Sequence, residues 1–172
     1  ITIHDRNKKA SISSAMEEDV LEDIRKNFTK QKKALPDAVL WLRPTSPLRC
    51  LETFETAYRL FKKTKKTVLV VHKEEPRLFY LGNNKYIKPI NPKMKKKSML
   101  RGQECKPLLS IFSGEIFMYP KKYKKDFLGN QKLHVVAPKY TKYDIDNEDD
   151  LKILNAMNIK KMTILKKFIH IK

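Results

Sequence analysis

AVLWLRPTSPLRCLETFETAYRLFKKTKKTVLVV, residues Ala38 to Val71, is the stretch that decides the fold class. It opens on one continuous apolar run, Ala38 to Leu42, and closes on another, Thr67 to Val71. Each run is short, bounded by turn signals and rich in branched side chains, the pattern of a strand buried on both faces. Between them Phe54, Ala57, Tyr58 and Phe61 recur at helical spacing and predict a helix over about Leu51 to Lys63. Strand, loop, helix and strand of this length make a βαβ unit. The expected architecture is therefore α/β: an open, mostly parallel sheet with helices on both faces. Pro44 and Pro47 end the first strand and stiffen the loop Arg43 to Arg49.

Upstream, Ser14-Ala15-Met16-Glu17 has the form of a capping box, and Met16, Val20, Leu21, Ile24 and Phe28 predict a helix from about Ala15 to Lys30. The chain begins at Ile1 without an initiator Met, so it is expected to be a piece of a longer one. Downstream of His72 the texture changes. Prolines 76, 89, 92 and 107 interrupt short apolar pieces from Lys73 to Leu109, which reads as an excursion from the sheet, a lid or a dimerisation arm. Gly114 to Tyr119 resumes a strand, Lys121 to Phe127 reads as a short basic helix or loop, and Leu133 to Val136 leads toward an acidic segment. Asn158 to Lys172 forms a basic tail or a last helix.

With 172 residues, 41% of them hydrophobic, the chain suits one domain, residues 1–157, followed by that tail. Lys and Arg number 38 against 19 acids, a net charge of +19, which raises a polyanionic partner. Lys outnumbers Arg and no RRM, zinc-finger or KH pattern occurs, so the charge reads first as solvated lysine and nucleic acid ranks below small-molecule substrates. No apolar run reaches a membrane span and the start is no signal peptide; the expectation is a cytoplasmic protein that does not enter a membrane. Cys50 and Cys105 form no CxxC pair and read as free thiols.

The chemistry concentrates in YDIDNEDDLKIL, Tyr143 to Leu154, where five acids fall within the seven residues Asp144 to Asp150. Asp144 and Asp146 point the same way if the backbone is extended, so both carboxylates can share one cation. Asn147 is a good N-cap with Asp150 at the third helical position, and Leu151, Leu154 and Met157 make an apolar stripe. The carboxylates thus sit where a strand ends and a helix begins. Ligands of open parallel sheets bind beyond the carboxyl ends of strands, where this segment and the Arg43–Arg49 loop both fall. Guanidinium groups suit a carboxylate or phosphate, and paired carboxylates suit magnesium on substrate phosphates. Together they suit phosphoryl or nucleotidyl transfer. Taken singly, a D-x-D before a helix is as often a solvated cap, and a PTSP loop is usually a turn. His72 and His134 lie near strand ends and read as structural, and no Ser–His or Cys–His pair suggests a covalent nucleophile.

Four motifs in order, LRPTSPLR (Leu42 to Arg49), RGQECKP (Arg101 to Pro107), SGEIF (Ser113 to Phe117) and YDIDNEDDLKI (Tyr143 to Ile153), resemble those of the acylneuraminate cytidylyltransferases, or CMP-sialic acid synthetases, including relatives acting on legionaminic-type sugars. The resemblance runs from about Ser11 to Met157. It implies a Rossmann-like nucleotidyltransferase fold, transfer of CMP from CTP to an acidic nonulosonic sugar with release of pyrophosphate, and a requirement for Mg2+. It further implies Asp144 and Asp146 as metal ligands, Arg101 at the sugar acid, and Arg43, Ser46, Arg49, Gln103, Gly114 and Phe117 around the sugar. Arg6 and Ser13 align near nucleotide contacts, and the excursion at 73–109 corresponds to an arm through which the family forms homodimers.

The family's opening strand and its glycine- and arginine-rich nucleotide loop have no counterpart here. Its customary Asn before the glycine is Ser113, and Ile111 and Phe112 stand where an Arg or Tyr is expected. The resemblance therefore implies either the C-terminal part of an active enzyme or a truncated, inactive paralogue that binds CTP poorly. Two other readings stay open: a nucleotidyltransferase for another sugar such as 3-deoxy-octulosonate, and a non-catalytic basic scaffold or nucleic-acid-binding paralogue.

Overall fold

A computed structural model describes residues 3–82, 85–96, 100–111, 116–118, 128 and 131–157. Its elements are α1 (Lys8–Ser11), α2 (Glu17–Lys30), β1 (Val39–Trp41), α3 (Leu51–Thr64), β2 (Thr67–Glu74), β3 (Phe79–Leu81), β4 (Ile87–Pro89), β5 (Leu108–Ser110), β6 (Ile116–Met118), β7 (Lys132–Val136) and α4 (Glu148–Ala156). Short 3-10 turns occur at Pro92–Lys95, Gly102–Glu104 and Lys139–Lys142. The class is mixed α/β.

The centre of the sheet is β2, whose TVLVVH run is buried on both faces from Val68 to His72. It takes three partners. β7 pairs with it in parallel over Thr67–Val71, β6 antiparallel at Val68 and Leu69, and β5 antiparallel at His72–Glu74. β1 does not pair with β2. β6 lies between them, antiparallel to both, with Leu40 and Val68 each opposite Phe117. This corrects the expected mostly parallel sheet: antiparallel pairings predominate. An apolar run buried on both faces reads the same whether its neighbours are parallel or antiparallel, so the βαβ inference could not see the inserted strand. The inserted strand nevertheless preserves direction. β1, β2 and β7 run the same way, and their carboxyl ends share one edge.

Helices flank both faces. α3 covers one face with Ala57 and Phe61 against Val68, Val70 and Phe117. On the other face Leu21 of α2 packs with Leu69, Val71, Ile116 and Met118. Alternate residues of β2 therefore feed separate cores, as period-two geometry requires. Along α3, Tyr58 is half exposed although it shares the apolar spacing, and Lys62 Nζ stands 5.5 Å over its ring. α2 starts later than the Ser14 box predicts: Asp19 accepts from the Met16 N–H at 3.2 Å and caps the helix there.

An N-terminal segment is clipped to α2 by Asp23. Its carboxylate accepts from the Asn7 N–H at 3.0 Å and pairs with His4 Nε2 at 2.9 Å, while Asn27 bonds His4 Nδ1. Those bonds, the Asn7 N–H foremost, hold the Asp23 carboxyl below the usual range against its burial.

Between Glu75 and Pro107 the chain leaves the sheet as the β3–β4 hairpin and a small core of Met94, Leu100 and Cys105. Gly82 N–H bonds Tyr86 O at 2.7 Å, and a Cβ at Gly82 would meet that oxygen at 3.1 Å, a tight approach that a glycine relieves. Phe79, Tyr80, Leu81, Tyr86 and Ile87 of the hairpin are all exposed. No helix among the described residues is long and apolar enough to cross a membrane. The expected basic piece Lys121 to Phe127 and the tail Asn158 to Lys172 lie outside the described residues.

Candidate functional site

At the shared carboxyl edge the loop after β1 meets the segment that follows β7. Ser46, 1% exposed, donates its hydroxyl to Asp144 Oδ1 at 3.2 Å. Beside it the Ile145 N–H bonds Thr45 O at 2.9 Å. The PTSP turn and the DID segment are thus joined by side chain and backbone together. Local chemistry explains the loop's shape: Ser46 N–H returns to Arg43 O, Arg49 Nη2 donates to that same carbonyl at 2.7 Å, and Leu48 is buried as an anchor. Arg43 reaches the first turn of α2, with Nη2 3.2 Å from Glu17 Oε1.

The acidic segment is organised by the start of α4. Asn147 Oδ1 accepts from the N–H groups of Asp149 and Asp150, and Asp150 Oδ2 accepts from those of Asp146 and Asn147. The first turn of the helix therefore absorbs part of the negative charge with its free N–H groups and dipole. Asn147 and Asp150 are in the positions that the sequence predicts. The apolar stripe is narrower than predicted, since Leu154 is buried and Leu151 is half exposed. The carboxylates also do not follow a strand directly, as expected: the 3-10 turn Lys139–Lys142 separates them from β7. Pro138, at the N-cap of that turn, bends the chain out of the ladder.

That turn is fastened to the end of β2 by polar side chains. Thr141 Oγ1 donates its proton to Pro138 O at 2.8 Å, so it accepts from His72 Nε2 at 2.8 Å. His72 Nε2 is thus the donor in this pair, with Nδ1 buried and unpartnered among the described residues. Burial, then the nearby Lys142 charge, push its pKa below the ordinary histidine value, against a smaller opposing pull from Glu74. Glu74 accepts from both Lys142 and Ser110, and those two bonds hold its carboxyl below the usual range. Cys50 stands at the N-cap position of α3 with no side-chain cap bond. Burial would raise its thiol, but its polar neighbours, Thr53 and Tyr140 foremost, outweigh this and lower it. None of this network was legible as a motif; only the position of His72 at a strand end pointed toward it.

Two carboxylates, Asp144 partly buried and Asp146 exposed, make up the cation-binding chemistry expected of this edge. Among the described residues no three His, Cys, Asp or Glu side chains converge to hold a metal. Such a pair suits a hard cation that completes its shell with water and substrate phosphate oxygens, not one that needs a full protein cage.

The other expected site residues divide. Arg101 and Gln103 belong to the exposed 3-10 turn Gly102–Glu104, beside Pro76, just past the end of β2. Arg101 pairs with Glu104 at 3.5 Å, and among the described residues no bond joins it or Gln103 to Asp144. Phe117 is 4% exposed, its ring 5.1 Å from that of Phe54 and 5.8 Å from that of Phe61. It packs under α3 on the core face of β6. Arg6 and Ser13 are exposed in the N-terminal segment, with Arg6 O accepting from Ser11 at 3.3 Å, and no bond links either to the Ser46–Asp144 edge. Gly114 lies outside the described residues.

Comparison with known proteins leaves the family open. No protein-family model matches the chain, and no curated protein matches it.

Proposed function

We propose that the chain is a sugar-acid cytidylyltransferase domain, transferring CMP from CTP to an acidic nonulosonic sugar and releasing pyrophosphate. The observation that carries this reading is the Ser46–Asp144 bond, which brings the first and last of the four resembling motifs together at the carboxyl edge. In the reading, Asp144 and Asp146 hold Mg2+, which when bound neutralises nucleotide phosphate charge. Arg43 and Arg49 line the loop on the sugar side, with Arg101 entering from the excursion once it leaves Glu104. The common direction of β1, β2 and β7 supports a nucleotidyltransferase sheet of the Rossmann-like kind. The exposed apolar hairpin supports an arm that docks on a second copy.

The test is pyrophosphate release from CTP and magnesium with sialic-type acceptors, and with 3-deoxy-octulosonate as the competing acceptor. Asp146→Ala is expected to abolish release while leaving the far-UV circular dichroism unchanged. Unchanged turnover in that variant sinks the metal assignment.

A second reading, a non-catalytic paralogue, is favoured by the buried Phe117. Absence of any CTP-dependent turnover, with the fold intact, selects it.

A further inference from the structure

The charge of +19 is unevenly placed along the direction of the strands. Only Lys65 and Lys66 separate α3 from β2, and the last turn of α3 carries Lys62 and Lys63. Lys132 opens β7 directly beside Thr67, the first residue of β2. All five lysines are exposed. β1 runs in the same direction as β2, so the segment that feeds it, with exposed Lys32 and Lys33, reaches the sheet at this same edge. The acidic run from Asp144 to Asp150 and Glu74 occupy the opposite, carboxyl edge. The carboxyl edge mixes Arg43, Arg49, Lys139 and Lys142 with its carboxylates, whereas at the amino edge lysine predominates, with Asp37 before β1 as the acid of that segment.

Helix termini account for part of this arrangement. Lys62 and Lys63 complement the negative end of the α3 dipole. Lys66 and Lys132 lie beyond the helix, and among the described residues no carboxylate forms an ion pair with Lys62, Lys63, Lys66 or Lys132. The nature of a partner follows from what else the edge displays. Gln131 and Thr64 are polar, and the ring face of Tyr58 is already covered by Lys62. Among the described residues this edge shows no free aromatic for base stacking and no apolar wedge for a lipid surface. Closely set cations on rigid strand ends match a regular line of phosphates.

We infer that this amino edge binds the phosphate backbone of double-stranded nucleic acid without regard to sequence. The inference does not depend on the enzymatic reading, because the two surfaces sit at opposite ends of the strands. Contacts from Lys62, Lys63, Lys66 and Lys132 predict a slope of log affinity against log salt between about −3 and about −4.

The experiment is fluorescence anisotropy of the whole chain with two duplexes of unrelated sequence, over roughly 50 to 200 mM salt. Equal affinity for both duplexes and a slope in that range are expected. Lys63→Glu/Lys66→Glu/Lys132→Glu should weaken binding by at least about tenfold and flatten the slope by about one per lysine. Lys93→Glu/Lys95→Glu/Lys96→Glu changes the net charge equally on the excursion, and should stay within about threefold of wild type. If charge reversal unfolds the chain, Lys66→Gln/Lys132→Gln carries the test, with a slope flattened by about two. Wild-type binding by the amino-edge variants overturns the inference. So does an equal loss in the excursion variant, which would report net charge alone. Vesicles rich in phosphatidylserine that displace the duplex and depend on the same lysines would assign the edge to a membrane surface, and overturn it as well.

Discussion

Ser46 and Asp144 are separated by 98 residues of sequence and joined by one hydrogen bond of 3.2 Å at the carboxyl edge of the sheet. The bond does two things. It satisfies the hydroxyl of a buried serine, and it fixes one oxygen of the Asp144 carboxylate. Together with the Thr45–Ile145 backbone bond it couples the loop after β1 to the acidic segment after β7.

Ser46→Ala tests that coupling. Removing the hydroxyl leaves Asp144 Oδ1 with only the Ile145 N–H, and the expected cost is about 1 kcal/mol of stability. A lower urea midpoint with an unchanged slope is the expected result, together with weaker magnesium dependence of any CTP turnover. An unaltered midpoint would mean that the Thr45–Ile145 backbone bond alone holds the two segments.

Asn147→Ala should fray the start of α4. The side chain satisfies two helix N–H groups, and losing it costs about 1 kcal/mol. Because Asp150 ties back to the Asp146 N–H, the loss should propagate to the carboxylate pair. Hydrogen exchange at Asp149 and Asp150 is expected to accelerate, while exchange along β2 stays as in wild type.

Stability should fall on mild acidification because of His72. Its folded pKa lies below the ordinary 6.5, chiefly through burial and then the Lys142 charge, so the unfolded chain takes up the proton first. The stabilisation is complete above the unfolded value and is lost as pH drops below about 6.5. Glu74, also lowered, adds a further loss below its ordinary 4.5. His72→Gln can still donate to Thr141 and cannot titrate. Its melting temperature should fall less than that of wild type between pH 7.5 and about 5.5; equal drops would remove His72 as the source.

Phe117→Ala is expected to cost about 3–5 kcal/mol, since the ring fills the core between Phe54 and Phe61. Phe117→Tyr is the sharper experiment. A hydroxyl added to a ring packed in this core costs about 1–3 kcal/mol if it finds no partner. Denaturation midpoints decide. A tyrosine variant as stable as wild type would mean that the ring edge reaches a wet crevice, the placement that the sequence resemblance implies.

The hairpin yields a prediction about association. Leu81, 84% exposed, heads an apolar surface that includes Tyr80 and Tyr86. Leu81→Glu should shift sedimentation toward the monomer, if the arm docks on a second copy as proposed. No shift relative to wild type would remove the hairpin from any self-association.

Local signals made the helices and buried strands legible. The α3 stripe, the TVLVV run and the Asn147 cap are short-range patterns, and each occurs within a few residues of its expected bounds. The meeting of the PTSP loop with the DID segment was also foreseeable, because co-directional strands bring their following loops to one edge. Strand partnership was not. Ile116 to Met118 carry the same apolar code as β1 and β2, and nothing in that code says that β6 enters between them. Side-chain direction at the site was equally hidden. Arg43 turns to Glu17, and Arg101 to Glu104, because acids close in space set the direction of a guanidinium, and sequence spacing does not report them.

The placement of β6 has a kinetic consequence. β1, α3 and β2 are contiguous in sequence, yet β1 has no other hydrogen-bonded strand among the described residues, so its ladder waits for Ile116–Met118. Closing that loop requires the whole Glu75–Pro107 excursion to be made and folded aside first. Such long-range closure raises contact order and slows folding. A nascent chain stopped before residue 116 would present β1 and both sides of β2 over Thr67–Val71 as bare edges, open to pairing with a neighbouring chain. Pulse-labelled refolding should accordingly show protection of the α3 amides well before those of β1.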